Sequence, residues 1–335
     1  MTEESKAVRK VIFRNGQSPG DGVMLVHAML SLHMTYPGKF LTDIRCPYGQ
    51  LFEGAPYITS LDENDKSVEI YELGYETIHK SNQFPYHFVT GFLYDMMAAL
   101  KVHIDPAPWH GFIHIRDEEK WWFSGVRQIV GADIPYWVVN AGYKIDYTAK
   151  QWAFDYYQRV IDMNKDVTFV QVGAKHPHHV HADLKGDNVI NMIGQTDLRQ
   201  MIRLVYNSFG VLTPCSMAMI LGYAVPAHPR FNRKSRACVV VSGGREPNHW
   251  QQGPNQQFLH TCGQLACCDM GGCWKSRVVK LNDGDRKDDE LCHMPVQVGE
   301  QWVAKCMAMI TPEEVSMHIR RYMDNLEFEV EKGQA

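Results

Sequence analysis

Six of the nine cysteines lie in the last quarter of the chain, and their spacing could hold a metal ion. The stretch LACCDMGGCWKSRVV, residues 265–279, contains three of them, and two more follow in the spacing C-x4-C-x18-C-x13-C. Four thiolates at about 2.3 Å from one ion need two turns or loops, which this spacing allows. A disulfide knot is disfavoured where thiols stay reduced, and a reactive thiol does not need such neighbours. A set of unpaired core cysteines is the remaining alternative.

A glycine-containing loop directly before a predicted helix could bind an anion. The stretch NGQSPGDGVMLVHAM places Gly16, Gly20 and Gly22 in that loop, where free backbone N–H groups suit a phosphate. Asp21 is the carboxylate of this loop, and we expect it to face an interdomain cleft. The alternative is that Asp21 only caps the helix.

A histidine-rich segment, KHPHHVH at residues 175–181, follows a predicted strand. Its imidazoles could bind a metal ion, but residues so close together on a loop have poor joint geometry. A solvated or ligand-contacting loop is therefore the favoured interpretation. The histidines concerned are His176, His178, His179 and His181.

Two further polar segments carry groups that ligand sites use. SGGREPNHWQQGPNQQFLHTCG, residues 242–263, follows a predicted strand, so Arg245, Glu246 and His249 could line an acceptor or substrate cleft. A structural loop with a buried tryptophan is the alternative. The basic run HPRFNRKSR, residues 228–236, is typical of a solvated loop, and it could also meet phosphorylated glycans or DNA.

Length and composition limit the class of protein. A chain of 335 residues favours two domains, and 45% hydrophobic with 21% charged residues is typical of a globular fold. The net charge of −4 gives no general reason to expect nucleic-acid binding. The amino terminus lacks the apolar run of a signal peptide, so a cytoplasmic location is expected, with reduced cysteines.

Short apolar runs alternate with helical patterns along both halves of the chain, which predicts parallel sheets with crossover helices. In the first half, strands are expected at 10–16, 40–47 and 66–73, and helices at 21–38 and 86–100. In the second half, strands are expected at 135–142, 167–174, 210–216 and 237–244, and helices at 146–163, 196–209, 217–224 and 311–329. Two such domains leave a cleft at the carboxyl ends of their strands.

Several of these segments resemble glycosyltransferase family nine, the ADP-heptose-dependent heptosyltransferases. GDGVMLVHAMLSLHMTYPGKF and LFEGAPYI resemble the family's opening, and VNAGYKIDYTAKQW resembles its strand–glycine loop with a Lys-x-Trp motif. TFVQVGA and NVINMIGQTDLRQMIRLVYNSFGVLTPCSMAMILGYAVP resemble its nucleotide-binding core. The resemblance covers roughly residues 10–240. It implies an α/β fold of the GT-B type, with two Rossmann-like domains that face each other across a cleft.

The resemblance also implies roles for individual residues. Asp21 would be the general base that takes the proton of the acceptor hydroxyl, and Lys150 would balance the leaving diphosphate. Further donor contacts would come from Gly20, Gly142, Gly173, Thr213, Pro214, Cys215, Ser216 and Met217. Leu212, Pro214 and Met217 stand where the family usually has Asp, Gly and His, which leaves the sugar open.

The cysteine-rich stretch CCDMGGCW…LC…KCMAMITPEEV resembles the four-cysteine iron-binding finger of one branch, the autotransporter protein heptosyltransferases. This resemblance implies one iron or zinc ion with a structural role, because a small segment with few apolar residues gains folding energy from a metal. The implied ligands are Cys268, Cys273, Cys292 and Cys306, with Cys267 able to replace Cys268.

We therefore expect an acceptor-side domain at 1–130 and a nucleotide-sugar-binding domain at 131–310, which includes the cysteine-rich finger at 258–308. A final helical segment, 311–335, is expected to pack back on the first domain. The predicted function is transfer of a sugar, heptose by the resemblance, from a nucleotide-diphosphate donor to a hydroxyl of a protein or glycan. The alternatives are glycosyl transfer to modified DNA bases and a catalytically inactive sugar-nucleotide-binding protein.

Overall fold

The structure is a computed structural model that describes residues 8–76, 80–122 and 124–327. The chain divides into two compact units. Unit 1 comprises Met1–Trp122 with Ala224–Pro226, and unit 2 comprises Phe123–Tyr223 with Ala227–Ala335.

Unit 1 is built on a three-stranded parallel sheet in the order β2-β1-β3. Its strands are β1 Arg9–Arg14, β2 Phe40–Arg45 and β3 Val68–Glu72, and its helices are α1 Pro19–Thr35, α2 Gly91–Leu100 and α3 Asp117–Lys120. Helix α1 packs on α2. Side chains on all sides of α1 are buried from Gly22 to Met29, so this is a core helix rather than an amphipathic surface helix.

Unit 2 contains a six-stranded sheet in which every pair is parallel, in the order β11-β10-β9-β4-β6-β8. These strands are β4 Tyr136–Val139, β6 Thr168–Gln171, β8 Val189–Asn191, β9 Gly210–Pro214, β10 Ala237–Gly243 and β11 Gln257–His260. Two antiparallel ribbons lie outside it, formed by β5 Gly142–Lys144 with β7 His179–His181 and by β12 Pro295–Val298 with β13 Gln301–Ala304. The buried central strands read as continuous apolar runs, as parallel strands covered on both faces do.

The helices of unit 2 are α4 Gly125–Val130, α5 Phe154–Met163, α6 Leu198–Tyr206, α7 Met217–Ala224, α8 Asn248–Gln251, α9 Lys305–Ala308 and α10 Pro312–Met323. Helix α6 begins at a capping box in which Asp197 accepts from the backbone N–H of Gln200, and α10 begins at its cap Thr311. Within the described ranges, no helix has both the length and the apolar character that a membrane crossing requires.

The single helix expected at 146–163 is instead two elements. A 3-10 segment, Ile145–Lys150, and helix α5 are separated by extended residues. The reason is Trp152, which is 1% exposed: its indole Nε1 donates to the carbonyl of Ile310 at 3.0 Å, and its ring packs edge-on against Tyr157. This long-range anchor requires an extended backbone at a position where periodicity alone favours a helix.

Within unit 2, helix α10 packs on α5 and β10, and packing of the segment 311–335 on the first domain stays a prediction. Ser316 of α10 receives a hydrogen bond of 2.8 Å from Asn164, and Arg320 pairs with Asp166. Val315 and Ile319 are fully buried in the core of unit 2. An amphipathic pattern shows that a helix buries one face, but it does not identify the partner.

The start of β9 gives a test of the packing. A Cβ on Gly210 would lie 2.5 Å from Cδ2 of Trp137, whose side chain is fully buried. We expect Gly210→Ala to lower the free energy of unfolding by about 1–3 kcal/mol, because the indole has no room to move. In the matched variant Gly125→Ala the new Cβ would lie 3.8 Å from Met192, and stability should be unchanged or slightly higher. Urea denaturation checks both, and equal effects of the two variants would contradict this account.

Candidate functional site

Asp21 lies in the first turn of α1 and is half-buried. Ser18 occupies the N-cap position, but its hydroxyl makes no capping bond to the backbone and donates instead to Oδ2 of Asp21 at 2.7 Å. A carboxylate at this place is also favoured by the helix dipole. The Asp21 carboxylate is therefore oriented by a neutral hydroxyl. The side chain at the N-cap position makes no hydrogen bond to the first N–H groups of α1.

Gly22 lies against the ring of a buried tyrosine. A Cβ on Gly22 would lie 2.5 Å from Cδ2 of Tyr48, a ring that is 2% exposed. The Tyr48 hydroxyl donates to Oδ1 of Asn15. Burial raises the pKa of Tyr48, and the negative charges of Cys46 and Asp21 raise it further. Tyr48 thus packs beneath the first turn of α1 and stays protonated beside Asp21.

A buried carboxylate joins residues of unit 2 that the sequence assigned to separate roles. Glu246 is 3% exposed, and it pairs with Nζ of Lys150 at 2.7 Å and with the guanidinium of Arg245. Gln251 adds a further hydrogen bond. Lys150 remains partly exposed, with 26% of its side chain accessible. The predicted donor-binding lysine and two of the predicted acceptor-cleft residues thus form one cluster, while His249 lies on the surface.

The loop between β9 and α7 is mostly internal. Thr213, Pro214 and Cys215 are buried, whereas Ser216 and Met217 are partly exposed. Oγ of Ser216 lies 2.8 Å from the Thr213 hydroxyl, accepts from Nδ2 of Asn140 at 3.1 Å and accepts from the backbone of Ala218 at 3.2 Å. Ser216 is thereby fixed at the start of α7. Sequence reasoning missed Asn140, although a polar residue directly after a buried strand is a recognisable signal.

Cys215 connects this loop with the Glu246 cluster. Burial raises the pKa of its thiol to about 12, the charge of Glu246 raises it as well, and Lys150 and Arg245 oppose the rise. β9 and β10 are adjacent parallel strands, so the loops that carry Cys215 and Glu246 leave the same edge of the sheet. The loop after β9 and the Lys150–Glu246 pair lie together near the carboxyl edge of the central strands, where ligands of parallel α/β sheets bind.

His181 occupies the space beside two of the predicted donor-binding glycines. Cβ atoms on Gly142 and Gly173 would lie 2.8 Å and 2.6 Å from atoms of its ring. Its Nε2 lies 3.0 Å from the carbonyl of Ala174, and its Nδ1 is buried without a partner among the described residues. Both glycines are thus required for packing of the imidazole. Gly20 lies in the first turn of α1, and a donor contact of any of these glycines stays a prediction.

Five cysteines line one small cavity of about 10 Å³, the room of a single water molecule or ion. They are Cys267, Cys268, Cys273, Cys292 and Cys306. Burial raises the pKa of the Cys306 thiol to about 12, and the Cys268 thiol lies 3.4 Å from the carbonyl of Leu265. In the described part of the chain, no group of three His, Cys, Asp or Glu side chains has the arrangement of a formed metal site. The thiols are grouped around one cavity, and their role as metal ligands stays a prediction.

The basic run is not a solvated loop. Arg230 is 7% exposed and pairs with Asp133 at 2.5 Å. Arg236 is 5% exposed and donates to backbone carbonyls, and burial lowers its pKa to about 10. Arg233 bonds the carbonyl of Ser235, and Lys234 is exposed. Two of the four basic side chains, Arg230 and Arg236, are therefore buried within unit 2.

No protein-family profile matches the chain, and no curated protein matches it. Solved structures do match it over nearly its whole length. TibC, a bacterial iron-containing dodecameric glycosyltransferase from enterotoxigenic E. coli H10407, is 15% identical, with 95% of this chain and 77% of that chain covered at a TM-score of 0.60. E. coli ADP-heptose lps heptosyltransferase II is 14% identical, with 94% and 98% covered at 0.55. A family 9 glycosyl transferase from Veillonella parvula DSM 2008 is 12% identical, with 96% and 99% covered at 0.60.

This likeness confirms the predicted α/β fold of the GT-B glycosyltransferase type. It covers both units of the chain, and the identities are low enough that it concerns the fold. The cysteine-rich metal insert within that fold stays a prediction, as do the roles of the individual site residues.

Because Glu246 is buried among charged partners, a conservative substitution there should strongly lower the free energy of unfolding. We expect Glu246→Gln to lower the free energy of unfolding by about 3–5 kcal/mol, because Arg245 would be left as a buried cation without its carboxylate. The matched variant is Glu313→Gln, which breaks the exposed pair with Arg159 and should cost less than about 1 kcal/mol. Chemical denaturation of both variants measures the difference, and a cost at Glu246 no larger than at Glu313 would contradict a charge-compensating role.

Proposed function

We propose that this chain is an inverting glycosyltransferase that moves a sugar from a nucleotide-diphosphate donor to an acceptor hydroxyl. The observation that carries the proposal is the structural likeness to glycosyltransferases over about 95% of the chain. Two residues of the motifs support the proposal. Lys150 is accessible, and Ser216 is held at the start of α7, both near the carboxyl edge of the unit 2 sheet.

The charge of the Glu246 cluster suits a diphosphate. Two cations, Lys150 and Arg245, are set against one carboxylate, so one positive charge is left over. Lys150 is the accessible member, and its ammonium would take the leaving diphosphate as a further partner. The Ser216 hydroxyl and the positive end of the α7 dipole would face the same phosphates. These groups stabilise the charge that builds up as the nucleotide leaves.

Asp21 is proposed as the general base. As the acceptor oxygen attacks the anomeric carbon, its proton passes to the Asp21 carboxylate, the new carbon–oxygen bond forms, and the bond to the diphosphate breaks. The nucleoside diphosphate carries away the bonding electron pair, and attack from the opposite face inverts the anomeric centre. The hydrogen bond from Ser18 would hold Oδ2 in place and leave Oδ1 for the acceptor.

The similar structures support a specific proposal for the sugar donor and for the class of acceptor. Among the similar structures are an ADP-heptose heptosyltransferase and TibC in complex with ADP-D-beta-D-heptose, so ADP-heptose is the first donor to test. A protein or glycan hydroxyl is the proposed acceptor. DNA is less favoured because Arg230 and Arg236 are buried. A protein that binds the donor without turnover is the alternative that the activity test excludes or supports.

We also propose that the cysteine cavity holds one iron or zinc ion in a structural role. The donor set fits either metal, since thiolates are preferred ligands of both. Cys268, Cys273, Cys292 and Cys306 would bind it, with Cys267 as a substitute for Cys268. The ion would link β13–α9 to the loop after β11, in a region that has few large apolar side chains. When bound, the ion would add its binding free energy to the folding free energy of this region.

The first test concerns Asp21. Asp21→Asn keeps the shape of the side chain but removes its basicity, so we expect donor turnover to fall by about 10²–10⁴-fold with unchanged donor affinity. The substrate is ADP-heptose, and the readout is release of ADP with water or an acceptor hydroxyl. Asp117→Asn, an exposed first-turn carboxylate of α3 in the same unit, is the control and should keep full turnover. Donor binding without turnover in the unchanged protein would support the binding protein instead.

The second test concerns the metal. Elemental analysis of the purified chain should find about one iron or zinc per chain, and Cys273→Ser should lower both this content and the melting temperature. Cys46→Ser, in unit 1 outside the cavity, should change neither. Because burial raises the pKa of Cys306 and Cys273, protons compete with the metal, and the apparent affinity should rise with pH. A metal-free chain of full stability would contradict the proposal.

A further inference from the structure

The backbone next to Lys150 is held by a short stretch of the cysteine-rich region, residues 275–278, called here the bracing segment. The N–H of Ala149 donates to the carbonyl of Ser276 at 3.1 Å. The hydroxyl of Thr148 accepts from the N–H of Val278 at 2.8 Å, and Thr148 is buried. Two hydrogen bonds thus fix the two residues that immediately precede Lys150.

Arg277 of the bracing segment is itself held firmly. Its side chain is fully buried and bonds Asp283 at 2.9 and 2.8 Å and Asp288 at 2.5 Å. It also reaches Asp146, at the start of the segment that carries Lys150, at 3.2 Å. A guanidinium thus sits among the carboxylates of an acidic loop. The hydrogen bonds with those aspartates raise the pKa of Arg277 and keep it charged.

The bracing segment also contacts Arg245, which lies beside Glu246, the counter-ion of Lys150. Nε of Arg245 donates to the carbonyl of Lys275 at 2.6 Å, and Arg245 pairs with Glu246, the partner of Lys150. Both ends of the Lys150–Glu246 ion pair are therefore attached to the same four residues, one through the backbone before Lys150 and the other through Arg245.

We infer that the bracing segment positions Lys150 for the phosphates, with Thr148, Asp146 and Arg277 as positioning residues, so that the cysteine-rich region acts on donor binding and not on stability alone. The inference rests on the proposed function, in which Lys150 meets the diphosphate. A lysine has a long flexible side chain, so the place of its ammonium depends on where its backbone and its counter-ion are held. Here both are set by residues 275–278.

The test is the affinity of the full chain for inorganic pyrophosphate, measured by calorimetry in a double-mutant cycle. Thr148→Val removes the acceptor of Val278 with little change of shape, and we expect it to weaken pyrophosphate binding by about 10-fold. Thr148→Ser keeps the hydroxyl and should bind within about 2-fold of the unchanged chain. In a Lys150→Met background, Thr148→Val should have no further effect, because positioning acts through Lys150. A structural defect would weaken binding in both backgrounds.

The outcomes separate the inference from the proposed function. If Lys150→Met leaves pyrophosphate affinity unchanged, the proposed phosphate contact is wrong and the inference falls with it. If Lys150→Met weakens binding but Thr148→Val does not, or does so equally in both backgrounds, the inference alone is overturned.

Should Thr148→Val fail to fold, Asp146→Asn takes its place in the same cycle. It leaves Arg277 its bonds to Asp283 and Asp288 and should weaken binding by about 2- to 5-fold.

Discussion

A carboxylate withdrawn from water requires cationic or hydrogen-bonding partners, and at Glu246 this requirement organises one edge of unit 2. Arg245 and Lys150 supply charge and Gln251 supplies an amide. The guanidinium of Arg245 also lies over the ring of Tyr147, 5.5 Å from its centroid. Because Arg245 and Lys150 come from separate parts of the chain, satisfying one buried charge brings the loop after β10 to the segment before α5. The proposed phosphate site is a result of that charge balance.

The strand and helix pattern could be predicted because burial leaves a local trace. The apolar runs of β4, β6, β9 and β10 lie where the sequence places them, and Thr311 caps the last helix as expected. The errors arise where a long-range contact overrides local preference. Trp152 breaks a predicted helix through its bond to Ile310. Asn164, which bonds Ser316 of α10, is likewise distant in the sequence. Neither partner can be identified from periodicity.

The candidate site was predictable as a list of residue types but not as a set of contacts. Five of the cysteines that the sequence groups together border one cavity, and their binding of a metal stays a prediction. The pairing of Lys150 with Glu246 joins distant segments and leaves no local pattern. Arg230 and Arg236 were expected to be exposed because they belong to a run of basic residues. They are buried instead, because backbone carbonyls inside unit 2 accept their hydrogen bonds. Burial decides what a charged residue does, and burial is a property of the fold.

The glycines that lie against aromatic rings have a consequence for how this sequence can change over time. Gly22 leaves room for Tyr48, Gly210 for Trp137, and Gly142 with Gly173 for His181. A side chain can enter at any of these glycines only if the facing ring becomes smaller, and the ring can be lost only at the expense of a void. Each glycine and its ring are therefore energetically coupled, so a single exchange at either position should cost more stability than a matched exchange at both.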